Sequence, residues 1–160
     1  MARLTPDLVD YLGIGLAHQV GACGPDGQPH VVRALALVQE DDGRLSALLS
    51  ALASPELLQA VRTTRQVAVV LSQPTNLRTI QLKGADAEVH PADTPVYRRL
   101  LEARGAAFWA DVERLGFSRT TLSGWYEVPE GALVRIVFTP YGAWDQTPGP
   151  GAGAPVELLP

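Results

Sequence analysis

Three polar side chains of different chemistry recur at alternate positions in the segment 77–84, LRTIQLKG. Thr79, Gln81 and Lys83 supply a hydroxyl, an amide and an ammonium group, and Lys83 is the only lysine in the chain. Alternate residues of a β-strand point to the same side, about 6.7 Å apart. The row therefore has two interpretations: a solvated strand face, or a surface that holds the polar edge of a heterocycle together with an anion.

An arginine stands among leucines in the predicted strand 30–39, HVVRALALVQ. Arg33, Leu35 and Leu37 are expected on one face because side chains alternate along a strand. Since an unpaired buried guanidinium is costly, Arg33 needs a partner. That partner is an ion-paired carboxylate, solvent reached by a snorkelling side chain, a phosphate or the flat polar edge of a ring. The opposite face carries smaller residues: Val32, Ala34, Ala36 and Val38.

Two further positions combine a structural with a binding interpretation. Ser54 precedes Pro55 and is expected to cap a helix, whose free N–H groups and partial positive charge also suit a phosphate. Trp144 precedes a segment rich in proline and glycine. It either anchors that segment to the core or covers a bound ligand.

Composition excludes several classes of function. The net charge of −4 argues against a nucleic-acid-binding protein, which normally carries a basic patch. One cysteine, Cys23, excludes an internal disulfide and is interpreted as a small buried residue, which suits a reducing cytoplasm. The three histidines lie on separate segments and form no metal-binding pattern. The sequence contains no P-loop or GxGxxG motif, no apolar run of transmembrane length and no signal peptide at its N-terminus.

The periodicity predicts three helices and six strands, the strands joined mostly by tight turns. Helices are expected from Thr5–Pro6 to near Gly13, from Ser54–Pro55 to about Thr64, and from Asp93–Pro95 to about Leu115, with a short helical turn around 118–123. Alternating or continuous apolar runs predict the strands, at 15–23, 30–39, 44–50, 67–71, 77–90 and 133–144. These elements, five or six strands with helices, indicate a mainly β protein that forms a small barrel plus helices.

The domain organisation follows from the same pattern. Residues 1–145 are expected to form one domain, and 146–160 a Pro/Gly-rich C-terminal arm that is extended or disordered rather than helix or strand. The outer strand faces need a second surface to cover them, which a homodimer would supply.

The order and spacing of four phrases resemble the pyridoxamine 5′-phosphate oxidase-like family of FMN-binding split barrels. The phrases are DGQPHVVRALAL, GRLSALLSALASPELLQAVRTTRQVAVVLS, LRTIQLKGADAEV and YGAWDQTPGPGAG, and the resemblance covers about Leu8 to Pro150. It implies a six-stranded antiparallel split β-barrel whose two subunits bury FMN in two equivalent interface sites. The closing phrase resembles an uncharacterised flavin-binding subgroup.

The resemblance also implies cofactor-binding residues. Arg33 and the backbone through Leu35 match the strand that lines the flavin, Leu49 and Ser50 the end of the next strand, and Ser54 the start of the phosphate segment. Thr79 and Gln81 match polar flavin contacts, and Trp144 a tryptophan near the partner's flavin. The implied set, with Lys83 as a compensating cation, is Arg33, Ala34, Leu35, Leu49, Ser50, Ser54, Thr79, Gln81, Lys83 and Trp144.

The sequence departs from this family at the phosphate. Where family members typically follow the serine with two basic residues, this chain has Pro55 and Glu56, and Val38 stands where another basic residue is expected. The last strand also lacks the Arg-Leu-rich ending of the vitamin B6 oxidases, which argues against pyridoxamine phosphate oxidation.

The functional hypothesis is a cytoplasmic, homodimeric FMN-binding oxidoreductase that acts on an unknown small substrate. No residue stands out as a general acid or base, which suits hydride transfer by the flavin. Two alternatives stay open: the same fold with a deazaflavin or haem, and a cofactor-free dimer with a structural or interaction role.

Overall fold

Ten strands and three helices are present in the computed structural model, which describes residues 2–120 and 124–160. The helices are α1 (Pro6–Leu12), α2 (Pro55–Thr64) and α3 (Pro95–Glu113). The strands are β1 (Ala17–Cys23), β2 (Pro29–Ala34), β3 (Ala36–Gln39), β4 (Leu45–Ser50), β5 (Val67–Ser72), β6 (Thr79–Gly84), β7 (Glu88–Pro91), β8 (Leu133–Phe138), β9 (Gly142–Asp145) and β10 (Pro155–Val156). The mainly β, antiparallel architecture with helices confirms the predicted class.

The strands form two sheets, and this corrects the prediction of one six-stranded barrel. One sheet has the order β10-β9-β6-β5-β1-β2 and the other the order β3-β4-β8-β7. Three predicted strands each divide in two: 30–39 at Leu35, 77–90 after Gly84, and 133–144 at Thr139–Pro140. Each divided segment begins in one sheet and ends in the other. The break at Pro140 has a local cause, because proline has no N–H to donate to a ladder.

The helices begin where the sequence predicts them. The Thr5 side chain accepts a hydrogen bond from Leu8 N at 3.4 Å, and that of Thr94 accepts one from Tyr97 N at 3.4 Å. α2 ends at Arg65, which adopts a left-handed conformation with φ of 59°. Of the helical turn expected around 118–123, residues 121–123 lie outside the described residues.

The main core lies between the sheets and beneath α1 and α2. Its fully buried side chains include Leu16, Val69, Leu82, Ile136 and Phe138. A second apolar cluster lies beside α3 and contains Leu35, Leu48, Leu101, Val128 and Leu133. None of the helices in the described ranges is long and apolar enough to cross a membrane.

The C-terminal arm folds back onto the domain. Gly153 N donates to Asp145 O at 2.6 Å, and β10 then pairs with β9, with Pro155 opposite Trp144. Arg3 and Leu159 exchange two backbone hydrogen bonds of 2.9 Å, so both ends of the described chain meet. The prediction that this arm forms no strand is therefore wrong. The Pro/Gly-rich composition of the arm does not favour a strand, but backbone pairing with β9 holds Pro155–Val156 in an extended conformation.

Candidate functional site

One face of the six-stranded sheet, here called the open face, points away from the core. Alternate residues of β1, β5 and β6 are buried, and the intervening ones point outward. The strand register aligns outward residues from five adjacent strands in one cross-strand line, here called the open row. Its members are Arg33, Gln19, Val70, Gln81 and Trp144.

The neighbouring line on the open face is built from small residues. Gly21 pairs with Val31 and with Ala68, and Ala68 pairs with Lys83. A depression of about 330 Å³ lies over this line, bordered also by Tyr141. Val31 is 67% exposed and Tyr141 58% exposed, so apolar surface is available there. A flat ligand can approach this floor closely because Gly21 and Ala68 carry little or no side chain.

Aromatic and polar groups meet at the β6–β9 end of the open row. Gln81 lies directly opposite Trp144, and Lys83 Nζ lies 4.8 Å from the centre of the Trp144 ring. Tyr141 packs edge-on against Trp144, with ring centres 6.2 Å apart. Among the described residues, the Gln81 amide and the Lys83 ammonium have no hydrogen-bond partner in the protein. This end can therefore offer a stacking surface, an amide and a positive charge to a ligand.

Thr79 is on the same face as Gln81, but its hydroxyl is already used. It lies 2.9 Å from the Ser72 hydroxyl and 2.9 Å from the carbonyl oxygen of Leu77, to which it donates. Its backbone N–H donates to Thr147 Oγ1 at 3.0 Å, which ties β6 to the C-terminal arm. The side chain of Thr79 thus stabilises the β5–β6 pair and is less available to a ligand than Gln81.

Arg33, at the other end of the open row, is covered by aromatic rings. Its guanidinium carbon lies 3.9 Å from the centre of the Trp125 ring, 5.0 Å from that of Phe108 and 5.5 Å from that of Tyr126. Burial lowers the pKa of the guanidinium below its ordinary value. No carboxylate pairs with Arg33 in the ranges 2–120 and 124–160. Cation–π contacts and an interaction with the Tyr126 hydroxyl, which acts against the effect of burial on the pKa of Arg33, take the place of the expected ion pair.

Two more basic groups lie near Arg33. His18 is 2% exposed, and burial lowers its pKa to about 3, with a further contribution from the positive charges of Arg33 and Arg104. Burial also lowers the pKa of Arg104 and raises that of the neighbouring Tyr126 hydroxyl. Burial therefore lowers the pKa of all three basic groups, of which Arg33 belongs to the open row and His18 has the inward parity of β1.

Half of the residues implied by the resemblance lie elsewhere. Ala34, Leu35 and Leu49 are buried, and the Leu35 N–H donates to Leu48 O at 2.8 Å. Ser54 does not cap α2: it is 1% exposed, and its hydroxyl donates to the carbonyl oxygen of Ser50 at 2.6 Å. Ser54 stands at the N-cap position, but its side chain makes no capping hydrogen bond because the hydroxyl bonds to Ser50 O instead, so the prediction of a side-chain cap is wrong.

The segment expected to hold a phosphate has an exposed acidic residue, Glu56, at the N-terminus of α2. Pro55 and Glu56 are exposed in the first turn of α2, and Glu56 is the acidic residue there. A carboxylate at this position opposes the binding of a phosphate, so the α2 N-terminus is a poor anion site. Of the implied residues, the structure brings together Thr79, Gln81, Lys83 and Trp144 and places Arg33 at the far end of the same face.

Sequence reasoning missed several residues of the open face. Gln19 and Val70 were identifiable from the alternation in β1 and β5, since both have outward parity. Cys23 was expected to be buried but is exposed, and it borders the same depression. The rings over Arg33 come from α3 and residues 124–126, and no local sequence pattern predicts this long-range contact.

No group of His, Cys, Asp and Glu able to hold a metal occurs in the part of the chain that is described.

Comparisons with known proteins identify the fold. No protein-family model matches the sequence, and no curated protein matches it. Among solved structures, an F420 reductase superposes with a TM-score of 0.55 at 17% identity, over 84% of this chain and 93% of that chain. HupZ from Group A Streptococcus superposes with a TM-score of 0.57 at 12% identity, over 94% of this chain and 98% of that chain.

A putative pyridoxamine 5′-phosphate oxidase from Lactobacillus delbrueckii gives a TM-score of 0.50 at 15% identity, over 89% of this chain and 93% of that chain. At such identities the likeness establishes the fold. It confirms, at the level of fold, the resemblance to pyridoxamine 5′-phosphate oxidase-like proteins.

Proposed function

We propose that this chain, which has the pyridoxamine 5′-phosphate oxidase-like fold, binds a flavin-type cofactor on its open face, where two copies of the chain meet. FMN is the first candidate and a deazaflavin the second. The observation that carries the proposal is the adjacent pair of Gln81 and Trp144. An amide with no partner in the described protein lies beside an indole on a sheet face that one chain leaves uncovered.

The residues present suit the ring system of such a cofactor. The Gln81 amide can donate to and accept from the polar edge of an isoalloxazine, and Trp144 and Tyr141 offer aromatic surface. Lys83, held over Trp144, places a positive charge near that edge. The floor of Gly21 and Ala68 permits close approach of a flat ring. When bound, a flavin supplies hydride or electron transfer, and these side chains orient it and tune its charge.

The residues of this chain suit the flavin ring better than they suit a phosphate at the segment that the resemblance implies. Ser54 is buried and bonded to Ser50, and Glu56 is exposed at the α2 N-terminus. A deazaflavin is the second candidate because a cofactor with a side chain other than that of FMN need not place a phosphate at that segment. The fold match with a protein named F420 reductase supports testing this alternative.

The shape of the open face supports the proposal of a homodimer. The depression over Gly21 and Ala68 is shallow, and apolar Val31 and Tyr141 border it. A second copy of the chain would cover both the ligand and these side chains. The proposed activity is an oxidoreductase that transfers electrons between the bound flavin and a small substrate. Pyridoxamine phosphate oxidation itself is not part of the proposal.

Titration of FMN, coenzyme F420 and haem into the purified protein tests the proposal. We expect quenching of flavin fluorescence with a Kd on the order of micromolar. Gln81→Ala and Trp144→Ala should each weaken binding about tenfold, through loss of one hydrogen bond or one stacking contact. Gln59→Ala, on the exposed surface of α2, is the matched control and should change nothing. Tight binding of haem alone, or of none of the three, would refute the flavin proposal.

A further inference from the structure

A groove of about 800 Å³ lies along α3, between one face of the helix and the segment 124–129. The helix residues that line it are three or four positions apart, so they form a continuous stripe on one face. The stripe includes Glu102, Gly105, Ala106 and Trp109, and the opposite wall includes Tyr126 and Glu127. The described residues that line the groove include none of the open row, so the groove is separate from the proposed flavin site.

Two aromatic rings and two small residues form much of the apolar lining. The rings of Trp109 and Tyr126 lie edge to face, with centres 6.1 Å apart. Gly105 is buried beside Tyr126, and a Cβ atom on Gly105 would lie 3.4 Å from the Tyr126 ring. Ala106 adds little side-chain volume to the same stripe. Aromatic rings beside small residues suit the apolar body of a ligand.

The charges that line the groove are not balanced. Glu102 and Glu127 are exposed on opposite walls, and neither carboxylate has an ion-pair or hydrogen-bond partner among the described residues. The two arginines of the lining, Arg98 and Arg119, already form ion pairs with carboxylates at 2.6 Å and 3.0 Å. Since a paired charge contributes little net potential, the two unpaired carboxylates make the groove negative.

Aromatic rings beside unpaired carboxylates favour an organic cation as the ligand. The face of an aromatic ring attracts an ammonium group, and a carboxylate adds a charge-assisted hydrogen bond. A carboxylate or phosphate ligand would be repelled by Glu102 and Glu127, and a neutral ligand would leave both charges without a partner. The volume of the groove is in the range of pockets that bind small organic molecules.

We propose that this groove binds a small organic cation, a primary or quaternary amine that carries an apolar body. Glu102 and Glu127 attract the ammonium group from opposite walls, and the apolar body packs on Trp109 and Tyr126. The inference does not rest on the proposed flavin, because the residues that carry it lie outside the open row. All of them belong to the described ranges.

Three probes with the same phenyl group and different charge test the proposal. At neutral pH, 2-phenylethylamine is a cation, 2-phenylethanol is neutral and 3-phenylpropanoate is an anion. Each is titrated into the full chain without flavin, and the indole N–H resonances are followed by NMR, with that of Trp109 assigned from Trp109→Phe. We expect the amine to shift the Trp109 resonance saturably. It should bind about tenfold more tightly than the alcohol, because it adds cation–π and ion-pair contacts, and the anion should bind most weakly.

Trp144 is the internal control, because its indole resonance reports binding near Lys83 on the open face rather than in the groove. It should stay unchanged at amine concentrations that saturate the Trp109 shift. Equal affinities for the amine and the alcohol would show an apolar groove without preference for charge, and would overturn the proposal. A saturable shift of Trp144 without one of Trp109, or no saturable shift at all, would overturn it as well.

Variants of the two carboxylates separate their effect from that of the overall negative charge. Glu102→Gln combined with Glu127→Gln keeps the size of both side chains and should lower the affinity for the amine about fivefold, with that for the alcohol unchanged. Both residues are exposed, so the fold should be retained. Glu56→Gln combined with Glu157→Gln removes two exposed charges elsewhere and should change neither affinity. Undiminished binding of the amine by the first pair of substitutions would contradict the proposed site.

Discussion

At the scale of single residues, His18 makes folding sensitive to acid. Its folded pKa is about 3, well below the ordinary value of 6.5, mainly because burial disfavours its charged form. Between about pH 3 and pH 6.5, His18 is protonated in the unfolded chain and neutral in the folded chain. Stability due to this group is therefore complete above about pH 6.5 and is lost as the pH falls toward 3.

Urea denaturation at two pH values measures this linkage. Between about pH 7 and about pH 5, the folded protein should lose about 2 kcal/mol more than the His18→Gln variant loses. Glutamine does not titrate, so the comparison removes contributions from other groups. Equal losses in the two proteins would mean that His18 titrates with an ordinary pKa.

Asp111 is a second buried polar residue with a specific task. Its carboxylate accepts hydrogen bonds from Thr75 N at 3.1 Å and Thr75 Oγ1 at 2.9 Å, and this joins α3 to the loop before β6. Asp111→Ala should lower the free energy of unfolding by about 2 kcal/mol, because both donors lose their acceptor. Glu113→Ala removes an exposed carboxylate paired with Arg119 and should change it by less than about 0.5 kcal/mol. Similar effects of the two substitutions would contradict this role.

At the scale of elements, α3 rests directly on the segment before β1. A Cβ atom on Gly15 would lie 2.3 Å from the carbonyl oxygen of Ala107 in α3. Backbone cannot move aside as a side chain can, so Gly15→Ala should destabilise the fold by about 1–3 kcal/mol. Because α3 also carries Phe108, the cover over Arg33 should loosen, and tryptophan fluorescence should shift to longer wavelength.

Gly151→Ala is the matched control, since a Cβ atom at Gly151 meets no atom within 4 Å. Thermal unfolding of both variants, followed by circular dichroism, gives the comparison. A melting temperature for Gly15→Ala equal to that of Gly151→Ala would show that α3 does not pack as closely as described.

The sequence predicts the helices better than the sheets. Thr5–Pro6 and Thr94–Pro95 are local start signals, and α1 and α3 begin there. The strand segments were located correctly, but three of them divide between two sheets. No residue marks the division at Leu35, because the bend follows from how the sheets pack around the core rather than from local preference.

In the candidate site, too, local sequence patterns predicted some residues correctly, whereas contacts that depend on the tertiary fold were not predicted. Alternation along 77–84 correctly placed Thr79, Gln81 and Lys83 on one face. The Ser54 side chain was expected to cap α2, but its hydroxyl bonds to the backbone of Ser50 across the turn formed by 51–53. The aromatic partners of Arg33 are distant in sequence, so only the tertiary fold reveals them.

At the scale of the whole molecule, the uncovered open face should mediate self-association. Val31 is 67% exposed beside the small-residue floor, so Val31→Asp places a charge in the proposed interface. We expect this variant to be monomeric and to bind flavin at least tenfold more weakly. Val96→Asp makes the same change at an exposed position of α3 and should leave the assembly intact. Analytical ultracentrifugation distinguishes the two outcomes, and a fully dimeric Val31→Asp would place the interface elsewhere.

Size-exclusion chromatography with light scattering and visible absorbance tests the central claim most directly. One chain has a mass of 17.1 kDa. After incubation with FMN, the account predicts a single species of twice that mass, with flavin absorbance coeluting at one FMN per chain. A species of one chain's mass, or a dimer that elutes without flavin or deazaflavin after incubation with either, would contradict it.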